Sequence, residues 1–223
     1  MRNKIAAGDL LSAESILEVH RAKNGEDGAY LVGLSWLARG ALLMGEGEKA
    51  DRYVADVRAR CADSLAHGVD LSKSHDTEIA LGAALEVAAQ RLEQARGRNA
   101  AASFLRHELE GIPGPVALRS RLNKRINILT LPGSPAPELV IEDFVGDPPP
   151  TLASLRGKPV LLFVWAEYCS DCRAQAASLA RARTRYAGRG LQVIALTRYY
   201  EREVADRVRE KARVDSVWNQ RGI

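Results

Sequence analysis

The sequence is short of cysteine, of aromatic side chains and of long apolar runs. Only three cysteines occur in 223 residues: Cys61, Cys169 and Cys172. That count excludes a disulfide framework and leaves one close pair with one remainder. Aromatics make up 5% of the chain while alanine and leucine abound, a balance that favours helices. No apolar stretch approaches the ~20 residues of a membrane-spanning helix. The N-terminus opens with positive charge at Arg2 and Lys4, but Asp9 and Glu14 interrupt any apolar region behind it. As written it carries no export signal, so either the protein is cytoplasmic or Met1 is not the natural start. Net charge is +4, from 32 basic and 28 acidic residues. With no run of about five or six like charges and no RNA-binding motif, the chain is not expected to bind nucleic acid.

What is present first is helical periodicity over residues 1–110. Leu10, Leu11, Ile16 and Leu17, then Leu31, Leu34, Leu37, Ala38, Ala41 and Leu42, follow the three/four spacing of one buried face. Gly45 and Gly47 interrupt the pattern, which resumes over 48–61 through Ala50, Tyr53, Val54 and Val57. A polar connection covers 62–75, and further helices are predicted over 76–95 and 99–110. A weak repeat runs through this half. Gly8, Ala13 and Ile16-Leu17 match Gly45, Ala50 and Tyr53-Val54 at an offset of 37, and Gly97, Ala101 and Phe104-Leu105 lie about 51 further on. Stacked helical hairpins are the physical reading, because one pair cannot bury its apolar face alone. Trp36-Leu-Ala-x-Gly40-Ala-Leu42 with Lys49-Ala50-x-x-Tyr53 looks like a tetratricopeptide-type helix pair. An unrelated small helical bundle is the alternative.

Gly111-Ile-Pro-Gly-Pro115 is predicted to end these helices, and 116–130 to form a connecting helix or arm with Arg119, Arg121, Lys124 and Arg125. Prolines at 132, 135, 137 and 148–150 bracket the apolar segment Leu139–Val145, predicted to be one short strand. From 151 the pattern changes. Val160–Trp165 is a continuous apolar run, as expected of a strand buried on both faces. Residues 170–187 read as a helix, 191–197 as a second buried strand and 201–212 as a charged helix. Strand, helix, strand, helix with short links is a βαβ unit with a parallel strand pair.

Cys169-Ser-Asp-Cys172 falls at the predicted strand-to-helix junction. There, unpaired N–H groups and the helix dipole stabilise a thiolate, the reactive form of the side chain. Cys169 is accordingly the nucleophile and Cys172 the resolving thiol. Asp171 suits a helix N-terminus but opposes ionisation of Cys169, and Arg173 partly offsets it. A zinc site would need four ligands; Cys61, His67 and His75 lack finger spacing, so no metal and no cofactor are expected. Two idle structural cysteines are the remaining alternative. Trp36 and Tyr53 are read as packing anchors and Cys61 as a buried thiol.

Gly133-x-x-Ala136-Pro137, Leu152-x-x-Leu155-x-Gly157-Lys158-Pro159 and Trp165-Ala-Glu-Tyr168-Cys169-x-x-Cys172 resemble the TlpA-like thiol–disulfide oxidoreductases of the thioredoxin superfamily, which border the AhpC/TSA peroxiredoxins. The resemblance covers about 131–223. It implies a redox-active Cys169–Cys172 disulfide flanked by Trp165 and Tyr168, with Trp165 covering the disulfide or serving as a core aromatic. It also implies protein thiol or disulfide substrates, a reductant partner, and a periplasmic or cell-envelope setting if the N-terminus is incomplete. A peroxiredoxin would carry Thr where Ala166 stands, so exchange is favoured over peroxide chemistry. The chain departs from the thioredoxin pattern in Phe163, where a buried Asp is expected, in Ser170-Asp171, and in ending at Ile223 with no proline after Pro159. A truncated domain whose β-strand at 160–165 is an exposed apolar edge is therefore expected.

The fold class expected is α plus α/β. A tetratricopeptide-like helical-hairpin domain covers 1–128, a proline-rich linker with a short strand 129–150, and a truncated thioredoxin-like βαβα domain 151–223. The expected function is protein disulfide exchange through Cys169 and Cys172, with the helical half as a docking surface. A non-catalytic helical interaction protein with an inert thioredoxin remnant is the alternative, and a thiol peroxidase the third reading.

Overall fold

The structure is a computed structural model that describes residues 1–112, 116–201 and 203–221, without the side chains of Val116 and 218–221. The chain divides into two compact units, Met1–Pro135 and Ala136–Ile223.

The first unit is helical among its described residues: α1 (Arg2–Ala6), α2 (Leu10–Asn24), α3 (Gly28–Leu43), α4 (Gly47–Ala66), α5 (His75–Arg96), α6 (Arg98–Gly111) and α7 (Val116–Thr130). Local chemistry sets the boundaries. Asp9 caps α2 by accepting the Ser12 N–H at 3.0 Å, and Asp27 caps α3 by accepting the Tyr30 N–H at 2.8 Å. The repeat seen in the sequence has a structural counterpart. Gly8, Gly45 and Gly97 take positive φ between paired helices, a region that L side chains rarely adopt. Ala13, Ala50 and Ala101 are each fully buried, and Leu17, Val54 and Leu105 after them are buried too. A small side chain at that position lets the second helix of each pair approach its neighbours closely.

Helices pack mainly on their sequence neighbours, and α3 also packs on α5. Two bare positions on α3 allow its close contacts. A Cβ on Gly33 would stand 2.4 Å from Leu17 Cδ1, and one on Gly40 would stand 2.9 Å from Ile5 Cγ2. Charged pairs rim the apolar core. Glu86 accepts Nε and Nη2 of Arg121, both at 2.7 Å, and Nη2 of Arg39 at 3.1 Å, linking α3, α5 and α7. Burial pushes the Glu86 carboxyl upward, but Arg121 and Arg39 outweigh it and hold the group below its ordinary value.

The segment expected to be a connecting helix or arm is the helix α7, and it packs on α5 and α6. Leu118, Leu122, Ile126 and Leu129 fall at helical spacing and are all buried in the core. The proline break before it, 113–115, lies outside the described residues. Helix α4 also runs further than expected, to Ala66, so the polar connection narrows to 67–74.

The second unit contains β1 (Val160–Val164), α8 (Ser170–Tyr186), β2 (Gln192–Leu196) and α9 (Val204–Arg221). The strands pair parallel, with Val160 opposite Gln192 and Val164 opposite Leu196. A second apolar cluster joins Phe163 and Trp165 of the β1 region to Leu179 of α8 and Val214 of α9. None of the described helices is long and apolar enough to cross a membrane.

Two expectations are corrected here. Neither strand is buried on both faces: Leu162 is 40% and Val164 73% exposed, and β2 is mostly half-buried. Phe163 and Trp165 alternate with them onto the face that α8 and α9 cover. An uninterrupted apolar run reports the composition of a strand, not the cover on each of its faces. Second, no strand forms over Leu139–Val145. The backbone groups a ladder would need are occupied at Phe144: its N–H donates to Asp143 Oδ1 at 2.8 Å, and its carbonyl accepts from Lys211 Nζ at 3.1 Å. Asp143 also accepts from Lys211 and, at 2.6 Å, from the Tyr199 hydroxyl.

Hydrogen bonds from Lys211 and Tyr199 hold the Asp143 carboxyl down to about 2, against about 3.9 in an unfolded chain. A depressed carboxyl contributes stability above the unfolded value and loses it as pH falls through the folded one. Asp143→Asn should therefore reduce hydrogen-exchange protection over 204–217 relative to wild type at neutral pH. At matched pH the gap should close between about 4 and 2; a gap that persists below about 2 would contradict the assignment.

Candidate functional site

The parallel pairing of β1 and β2 delivers two chain segments to one edge of the sheet. Residues 165–169 leave β1 there, and 197–201 leave β2 there. In open parallel sheets this carboxyl edge is where ligands and reactive groups gather. The Trp165 N–H donates to the Leu196 carbonyl at 2.9 Å, so the ladder holds the first segment up to the start of the site.

Cys169 is the N-cap of α8. Its backbone is extended, with φ −74° and ψ 106°, and its Sγ accepts the Cys172 N–H at 3.1 Å. The two cysteines are joined as a disulfide with Cα atoms 5.2 Å apart. Once reduced, the Cys169 sulfur would occupy a cap position, where N–H groups lacking helical partners and the helix dipole favour negative charge. Cys172, inside the first turn, packs against the apolar cluster of Phe163, Trp165, Leu179 and Val214. The geometry thus gives the two thiols different surroundings, one capping and one facing the core.

Trp165 is 6% exposed and belongs to the core of this unit. Its ring lies in the same cluster that Cys172 touches. Tyr168 is instead 60% exposed. Its ring meets that of Tyr200 edge-on, with centroids 5.1 Å apart. Arg198 lies over the other tyrosine, its guanidinium carbon 4.8 Å from the Tyr200 ring centre.

Helix α9 braces both segments. Glu210, only 2% exposed, accepts the Tyr200 N–H at 2.9 and 3.1 Å and the Glu201 N–H at 3.1 Å. Arg213 Nε donates to Glu167 Oε1 at 2.8 Å, two residues before Cys169. Arg173 Nη1 donates to the Glu167 carbonyl at 2.9 Å. Of these, Tyr200, Arg198, Glu210 and Arg213 were not singled out in the sequence. The one available signal was Tyr199-Tyr200 directly after a predicted parallel strand.

Cys61 stands apart from this chemistry. It is 1% exposed in the core of the helical unit, and burial pushes its thiol up to about 11. An inert structural thiol results. Among the described residues, no group of three or more His, Cys, Asp or Glu is arranged to hold a metal ion.

Alkylation of the reduced native protein at neutral pH should modify Cys169 fastest and leave Cys61 intact until the chain is unfolded. Mass spectrometry of the digested protein reads this directly, and native modification of Cys61 ahead of Cys169 would contradict the picture.

Residues 132–215 match the model of the AhpC/TSA family. No curated protein and no solved structure matches the chain. The family match encloses both cysteines, both strands and the segment that braces them. It supports a thioredoxin-superfamily domain, of the peroxidase and oxidoreductase kind, around the Cys169–Cys172 pair.

Proposed function

We propose that the unit from 136 to 223 exchanges dithiol for disulfide with polypeptide substrates. The observation that carries this reading is the cap geometry: Cys169 Sγ accepts the Cys172 N–H at 3.1 Å, and the two sulfurs are joined. A cysteine at a helix N-terminus, bridged to a second within the first turn, is the arrangement that lets one thiol attack and the other resolve.

In the reduced pair, the Cys169 thiolate attacks one sulfur of a substrate disulfide. A Cys169–substrate disulfide forms, the substrate S–S bond breaks, and the departing sulfur leaves as a thiolate that takes up a proton. Cys172, as its thiolate, then attacks the Cys169 sulfur. The intramolecular disulfide forms and the second substrate thiol is released. Two electrons have passed from the pair to the substrate, and an external dithiol restores the pair by the reverse steps. Here Trp165 and the apolar cluster keep Cys172 within reach, while Glu167 and Arg213 fix the turn that carries Cys169. The helical unit serves as a protein-docking surface, as stacked helical hairpins of the tetratricopeptide type do.

The AhpC/TSA match favours a second reading, thiol peroxidase, in which the Cys169 thiolate attacks a peroxide oxygen. Ala166 in the place of a peroxidatic threonine weighs against it, as does a resolving cysteine only three residues on. In the third reading, an interaction protein, the cysteine pair is idle.

Insulin reduction by dithiothreitol separates these readings. The wild-type chain should accelerate it several-fold and Cys169→Ser should not, while peroxide consumption with a thiol donor should stay at the uncatalysed rate. Equal insulin-reduction rates for the two chains would sink the exchange reading.

A further inference from the structure

We propose that Tyr168, Tyr200 and Arg198 form a recognition ledge that selects polypeptide disulfides flanked by an aromatic side chain and a carboxylate. The inference rests on the exchange reaction proposed above and names its substrate class.

Exposure comes first. Tyr168 and Tyr200 are 60% and 40% exposed, although each could bury a large apolar ring. They pack on each other, not into the core, with ring centroids 5.1 Å apart. Tyr168 directly precedes Cys169, which puts this exposed pair beside the segment that carries the attacking sulfur.

The ledge is also built in advance. The Tyr200 loop is held by Glu210, whose buried carboxylate accepts N–H groups from Tyr200 and Glu201. Removing a carboxylate from water is costly unless hydrogen bonds replace the hydration. Those bonds go to the backbone of this loop, which is therefore ordered before any substrate arrives. A substrate then loses little binding energy to ordering the loop.

Charge decides the rest. Around the site, Glu167 and Glu201 face Arg213 at 2.8 and 3.8 Å, and Glu210 is engaged by backbone N–H groups. Asp171 lies in the first turn of α8, where it complements the helix dipole. Arg198 is exposed and lies over the Tyr200 ring; among the described residues no carboxylate pairs with it. A guanidinium on an exposed aromatic shelf complements a substrate carboxylate beside an aromatic side chain, and Tyr and Arg are the residue types that most often dominate such contacts.

The test uses symmetrical disulfide dimers of two tripeptide amides, Asp-Phe-Cys and Lys-Phe-Cys, reduced by the full chain with a dithiol donor. Wild type should favour the acidic dimer in kcat/KM by about threefold to fivefold, the range of an exposed ion pair, and added salt should shrink the preference. Arg198→Glu should invert it. Tyr200→Ala should lower kcat/KM for both dimers by about fivefold or more, as loss of an aromatic anchor does. Equal handling of the two dimers by wild type, or a ratio unmoved in Arg198→Glu, would overturn the ledge and leave the exchange reaction standing. If wild type were no faster than Cys169→Ser on either dimer, the exchange reading itself would fall, and the ledge with it.

Discussion

Because β1 and β2 run parallel, with Phe163 opposite Ala195, their carboxyl ends emerge at the same edge of the sheet. Everything at the candidate site depends on that pairing. It brings Tyr168 and Cys169 from one strand exit beside Arg198 and Tyr200 from the other. The register matters as much as the direction. A slip of one residue would turn Phe163 and Trp165 away from α8 and α9, and put Leu162 and Val164 in their place. The cluster that Cys172 packs against would be lost, and with it the asymmetry between the two thiols.

Helix α9 makes the edge rigid by using carboxylates as anchors. Glu210 accepts from the backbone after β2, Glu167 is gripped by Arg213, and Asp143 ties the 139–145 segment to Lys211 and Tyr199. Each contact lies where the chain is irregular, and Glu210 and Lys211 also satisfy backbone groups there. The helical unit solves a different problem. Its helices bury apolar faces mainly on sequence neighbours, and paired charges such as Glu86 with Arg121 and Arg39 link helices at the rim of that core.

The helices, both parallel strands and the cysteine pair could be read from the sequence because each carries a local signal. Periodicity marks a buried helical face, an apolar run marks a strand, and two cysteines three apart mark the junction. The repeat was legible for the same reason, since Gly8, Gly45 and Gly97 are demanded by turn geometry and Ala13, Ala50 and Ala101 by close packing. The failures share a cause too. Leu139–Val145 has the composition of a strand, but at Phe144 the N–H goes to the neighbouring Asp143 carboxylate and the carbonyl to the distant Lys211. Val160–Trp165 gives no sign of which face α8 and α9 will cover. Glu210 and Arg213 act on residues 9 to 46 positions away, and no motif or period announces contacts of that range.

The central claim is that Cys169 attacks and Cys172 resolves, and trapping the covalent intermediate tests it most directly. With Cys172 replaced by serine, a substrate disulfide should become stranded on Cys169, and mass spectrometry of the intact chain should show one added substrate thiol at that residue. Accumulation of the adduct in Cys169→Ser instead, or in neither variant, would contradict the account.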